Sequence, residues 1–122
     1  YEAKRNNTAN DVVAIGYQAG RDNTVANQFI IKQANINAVP LIQGDFASGN
    51  VGIGTSSPDA SALLQVSSTS KGFLPPVMTG SQAEAISSPA TGLMVFASSA
   101  GSGDITSAGW WGYNGSNWIQ LG

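Results

Sequence analysis

The chain has 122 residues, 42% of them hydrophobic and only 10% charged, with a formal net charge of −2 at pH 7; a soluble domain usually carries about 25% charged residues. It holds no cysteine and no histidine, which removes a disulfide frame, thiolate metal sites, the usual general base and the Ser-His-Asp triad. No apolar run approaches the ~20 residues that span a bilayer, so membrane insertion is not expected.

In chain order, Tyr1 to Asn10 is polar and reads as irregular. Short apolar runs bounded by Gly, Asn and Asp follow: Val12–Ile15 ending at Gly16, Phe29–Ile31, Leu41–Ile42 after Pro40, and Val51–Gly54. Runs this short, rich in Val, Ile and Phe, predict β-strands. Thr55–Pro58 is a loop signal, with Pro58 placed to open a short turn after Ser57. Leu64–Val66 predicts a further strand, and Ser67–Lys71 is polar and linker-like. Phe73–Pro76 must be extended, because each proline restrains its predecessor.

One helix is predicted. Thr79 and Gln82 form a capping box, with Ser81 and Glu84 as an overlapping alternative. Ala83, Ala85 and Ile86 continue it for about two turns, marginal without packing, and Pro89 ends it by disfavouring α geometry at Ser88. Leu93–Phe96 is the strongest strand signal, and Ala97–Ala108 a Gly/Ser-rich loop. Trp110–Tyr113, Asn114-Gly115 and Asn117–Leu121 predict a hairpin with a type I′ turn, Tyr113 and Ser116 or near neighbours flanking it.

The fold class expected is mainly β, with a small α+β C-terminal part containing one short helix and the hairpin. All three tryptophans and both methionines lie in residues 73–122, which can build a compact core. Residues 1–55 hold thin strands and few large side chains, too little to bury alone. Sharing a core between copies solves this, and low charge fits it. Lys4, Arg5, Arg21 and Lys32 lie early, Lys71 is the only later basic residue, and beyond Gly72 only Glu84 and Asp104 are charged. No basic patch exists for a nucleic-acid backbone.

Val13-Ala14-Ile15-Gly16-Tyr17-Gln18-Ala19-Gly20, followed by Asn23-Thr24, resembles the repeats in shafts of phage tail fibres and heads of trimeric adhesins. Pro40–Phe46 with Gly49–Pro58 is similar to a segment near the C-terminal part of such fibres. Lys71–Thr79 resembles their KGFLPPRMT motif, with Val77 in place of the common Arg; Ser88–Phe96 and the YNGSxW-like Tyr113–Trp118 continue the pattern. The order of these motifs implies a homotrimeric fibre end: a β-rich intertwined shaft over residues 1–55, a connecting segment over 56–72 and a tip over 73–122. If the common Arg makes a charge pair, Val77 replaces it with an apolar contact. Starting at Tyr1 without a signal-peptide pattern, the chain reads as part of a longer protein or a processed one.

The candidate chemistry is thin. Gly49-x-x-Gly52-x-Gly54 lacks dinucleotide-loop spacing and reads as tight turns. Gly16-x-x-x-Gly20 lacks the apolar helix a membrane dimer needs. Asp45, Asp59, Glu84 and Asp104 have nothing that brings two together as a catalytic pair, and each reads as a cap or as solvated. Asp22-Asn23-Thr24 and Asp104 lack calcium-loop spacing. No enzyme activity, cofactor or metal is expected.

Trp110, Trp111, Tyr113, Asn114, Asn117 and Trp118 are the candidate receptor-binding residues: aromatic faces to stack on a sugar, amides (with Gln120) to bond its hydroxyls. The competing reading is cross-strand or interchain packing. Trp110 and Trp111 are adjacent and must point to opposite faces of a strand. The function expected is attachment: the distal part of a homotrimeric tail fibre recognising a host-surface glycan or other receptor. The alternative is a structural trimerisation module without its own receptor site. The location implied is a virion tail, a phage-tail-like particle or an extracellular surface, with the rest of the fibre or baseplate upstream.

Overall fold

A computed structural model of the chain describes residues 3–4, 6–36 and 38–122. Tyr1, Glu2 and Arg5 of the polar opening stretch, and Asn37, lie outside the described residues. The fold is mainly β with a single short helix among the described residues. The chain divides into two compact units, residues 1–72 and 73–122.

The first unit is one five-stranded sheet of β1 (Val13–Ile15), β2 (Gln28–Ile31), β3 (Ile42–Asp45), β4 (Asn50–Ile53) and β5 (Leu64–Val66), in that spatial order. β2, β3 and β4 are antiparallel neighbours, while each edge strand is parallel to the strand beside it. Each parallel pair is built on the same short motif. Val13-Ala14-Ile15-Gly16 and Val51-Gly52-Ile53-Gly54 form β1 and β4 with their exits. Gly16 (φ 109°) and Gly54 (φ 73°) both lie in the left-handed region. A Cβ at Gly16 would collide with the Lys32 carbonyl oxygen, and one at Gly54 with the Ser67 carbonyl oxygen. Each carbonyl follows directly on the partner strand, so only glycine lets the chain leave alongside it.

The register aligns side chains in rows. Val13, Phe29, Gly44, Val51 and Leu64 form one row; Ile15, Ile31, Ile42, Ile53 and Val66 form another two residues along, on the same face. The opposite face carries Ala14, Ile30, Gln43, Gly52 and Gln65, and beyond them Gln28, Asp45 and Asn50. The crossovers fold over this second face. A Cβ on Gly52 would meet Thr55 and the Pro58 ring at 2.8 Å, and Gly20 lies against the Ala14 methyl.

The second unit is a four-stranded sheet of β6 (Val77–Met78), β7 (Met94–Ala97), β8 (Gly109–Tyr113) and β9 (Trp118–Gln120), with α1 (Gly80–Glu84) between β6 and β7. The capping box forms as the sequence indicates: Gln82 N donates to Thr79 Oγ1 at 3.2 Å, and Thr79 N donates to Gln82 Oε1 at 2.9 Å. The helix has five residues rather than two turns. Ala85 already serves as its C-cap, and Ser88, held out of the α region by Pro89, turns to φ 49°. Gly80 lets α1 sit on the loop, since a Cβ there would meet Ala100 C at 2.6 Å and Ser99 O at 2.7 Å.

The hairpin forms, but not with a type I′ turn at Asn114-Gly115. Tyr113 pairs with Trp118, and Asn114 N donates to Asn117 O at 3.1 Å. Only Gly115 of this turn has positive φ, at 102°. The Asn114 Oδ1 accepts from Ser116 N at 2.9 Å and Asn117 N at 2.8 Å. That side-chain bond replaces the second left-handed residue a type I′ turn requires.

Gly54→Ala and Gly49→Ala separate steric from conformational cost. Gly49 also has positive φ (75°), but nothing lies within 4 Å of its Cβ position. Gly49→Ala should cost about 1–2 kcal/mol, the left-handed penalty alone. Gly54→Ala should cost clearly more, in denaturation followed by circular dichroism at one fixed chain concentration.

Candidate functional site

The second unit sorts its residues by strand parity. On one face Val95, Ala97, Trp111 and Trp118 are buried, joined by Ala83 from α1 and Ile105 from the loop before β8. Met78, Ile86, Leu93 and Tyr113 pack around them. The Trp111 indole N–H donates to Ser107 O at 3.1 Å, which satisfies its polar end inside an apolar site. The Tyr113 and Trp118 rings sit 5.5 Å apart at 59°.

Two carboxylates hold the loop that closes this core. Glu84, at the last position of α1, accepts from Ser102 N at 2.8 Å, Gly103 N at 3.0 Å and Ile105 N at 2.8 Å. The Ile105 amide, foremost, holds its carboxyl below the ordinary glutamate value of 4.5, against opposing desolvation and with help from Ser102 and Gly103. Asp104 Oδ2 accepts from Trp118 N at 2.9 Å and from the Asn117 side-chain amide at 3.3 Å. Glu84 thus seats Ile105, which is fully buried, and Asp104 fixes the start of β9. The Gly/Ser-rich loop is therefore tied down at its middle. The sequence contained this signal as two lone carboxylates and one isoleucine among glycines and serines.

The aromatic and amide candidates are not brought together on one surface. Trp111 and Trp118 are buried, at 4% and 7% exposure, and Tyr113 lies against Trp118. Trp110 points to the other face, edge-on to Phe96 at 5.5 Å and 84°. Asn114 and Asn117 are at the turn, with Asn114 Oδ1 and Asn117 Nδ2 already engaged.

That other face is apolar throughout. Val77 pairs with Phe96, Phe96 with Trp110, Met94 with Gly112, and Gly112 with Ile119. Val77, Met94, Trp110, Ile119 and Leu121 are exposed large hydrophobics. Over Gly112 lies a hollow of about 320 Å³ lined by Met94, Tyr113, Ile119 and Leu121 among others.

A polar hollow that sequence reading missed lies in the first unit. It measures about 330 Å³ and is lined by Gln28, Gln43, Asp45 and Asn50, with Val25 and Pro58 as apolar walls. Gln43 Nε2 donates to Gln28 Oε1 at 2.7 Å, and Gln28 Nε2 to Asp45 Oδ2 at 3.1 Å. These residues come from three strands, and only the register, not any local motif, assembles them.

Two outcomes follow. Trp118→Ala should cost about 3–5 kcal/mol, enough to unfold the tip in thermal denaturation. Because the Glu84 pKa is lowered on folding, its stabilisation is complete above the ordinary glutamate value and is lost as pH falls through the folded value. Glu84→Gln should therefore lower the melting temperature at pH 7, with the difference from the parent shrinking below about pH 4.

A family model described as a phage tail like trimerisation region matches residues 52–122. No curated protein and no solved structure matches the chain. The matched region takes in the whole second unit, together with β5 and the second half of β4.

Proposed function

Because the chain belongs to the phage tail-like trimerisation family, we propose that its second unit locks three copies together through the bare sheet face of Val77, Met94, Phe96, Trp110 and Ile119. The observation that carries this is the composition of that face: no charged or polar side chain interrupts it between β6 and β9. Exposed apolar surface of this extent on a small domain marks an association surface. Each large side chain there contributes up to about 1.5–3 kcal/mol when fully buried. The hollow over Gly112 offers a seat for a side chain from a neighbouring copy. Val77, where similar fibres often carry Arg, keeps the contact apolar.

The finer reading is attachment to a host-surface glycan by the assembled fibre end, on a tail or tail-like particle. With Trp111 and Trp118 in the core, the feature that supports it is the polar hollow of the first unit. Amides and a carboxylate offer both donors and acceptors to sugar hydroxyls, beside apolar walls. Three copies per fibre would raise a weak single-site affinity through effective concentration. This role is binding and assembly; no bond is made or broken in it.

Ile119→Asp should make the assembled protein dissociate at a clearly higher chain concentration than the parent in sedimentation analysis, while far-ultraviolet circular dichroism keeps its β signal. Assembly as tight as the parent's would move the contact elsewhere. Glycan-array screening of the assembled protein should find ligands whose binding drops at least ~10-fold in Gln43→Leu at unchanged mass, the loss of a bonded polar partner. Binding unaffected by Gln43→Leu would discard the hollow. Absence of any glycan binding would leave the trimer lock as the whole function.

A further inference from the structure

The first sheet presents a second uncovered apolar surface, most of it outside the matched family region. Ile15, Ile31, Ile42, Ile53 and Val66 stand side by side across all five strands. The row two residues away on the same face is also apolar, broken only by Gly44. The crossovers of this unit fold over the opposite face, where Thr55 and Pro58 cover Gly52. Ile15, Ile53, Leu64 and Val66 are accordingly 53%, 37%, 57% and 45% exposed.

We infer that this face lines the interior of the trimer: the same sheet of each of the three copies turns its isoleucine row toward a common axis. The occupant is thus a second and third copy of this chain. Three observations favour it. Ile53, Leu64 and Val66 belong to the trimerisation region that matches residues 52–122, and the register continues their surface without a break into β3, β2 and β1. The two rows contain no charged, amide or hydroxyl side chain, so they offer nothing to a polar ligand or a charged partner. The patch is also the right size. Five strands at ~4.8 Å span about 19 Å, and facing sheets pack ~10 Å apart, so three such sheets enclose a filled core. The opposite face, with Gln28, Gln43 and Asp45, then points outward.

This inference rests on the trimer reading, and the experiment separates the two. The chain has no cysteine, so a single introduced thiol is unique. Ile42→Cys lies in the central strand and Ala47→Cys in the exposed turn between β3 and β4. In the assembled protein, the thiol of Ile42→Cys should react with a bulky maleimide at least ~10-fold more slowly than that of Ala47→Cys. Mild oxidation should also link two chains of each trimer at position 42 only. Should Ile42→Cys fail to assemble, Ile31→Cys in the same row provides the comparison. Equal reactivity and no cross-link in a protein of trimer mass would overturn the inference and leave the trimer lock of the second unit standing. A parent protein of single-chain mass would overturn both.

Discussion

A sheet has two faces, and each sheet of this chain covers only one of them with its own residues. In the second unit α1, Ile105 and the loop before β8 cover the face that carries Val95, Trp111 and Trp118. In the first, the crossovers cover the face that carries Ile30 and Gly52. What remains bare is apolar in both. Water in contact with those rows is a standing free-energy cost of about 25 cal/mol per Å² of apolar surface, and association of copies removes it. The low charge follows from the same constraint. A chain with one bare apolar face on each sheet has little outer surface left to carry charge.

The second unit stays small because two carboxylates substitute for secondary structure. A helix of five residues and a loop rich in glycine and serine would not normally roof a core. Glu84 collects three amides of that loop and drives Ile105 beneath it, while Asp104 grips the first residue of β9. The middle of the roof is thereby tied to α1 through Glu84 and to β9 through Asp104.

Much of the architecture was legible in the sequence. Short runs of Val, Ile and Phe between turn residues became strands, and the Thr79–Gln82 box capped the helix. Alternation was present in four strands of the first unit, as Val13/Ile15, Phe29/Ile31, Val51/Ile53 and Leu64/Val66. The pairing order was not, because three- and four-residue strands carry too little pattern to choose partners. For that reason the isoleucine row and the Gln28–Gln43–Asp45 hollow became visible only in the fold. Helix length and turn type were missed where a single local bond decided: the left-handed Ser88 before Pro89, and the Asn114 side chain that closes its own turn. The aromatic cluster read as core or as binding site, with packing the favoured reading for any single tryptophan. A buried indole needs a backbone acceptor such as Ser107 O, and that partner is set by tertiary structure alone.

Whether the chain completes its cores only as three copies is read from light scattering of the native protein at two dilutions. A trimer gives a mass near three times 12.5 kDa that does not fall on dilution. A folded species of 12.5 kDa at both dilutions would contradict it, since the chain would then hold its fold with both apolar faces in water.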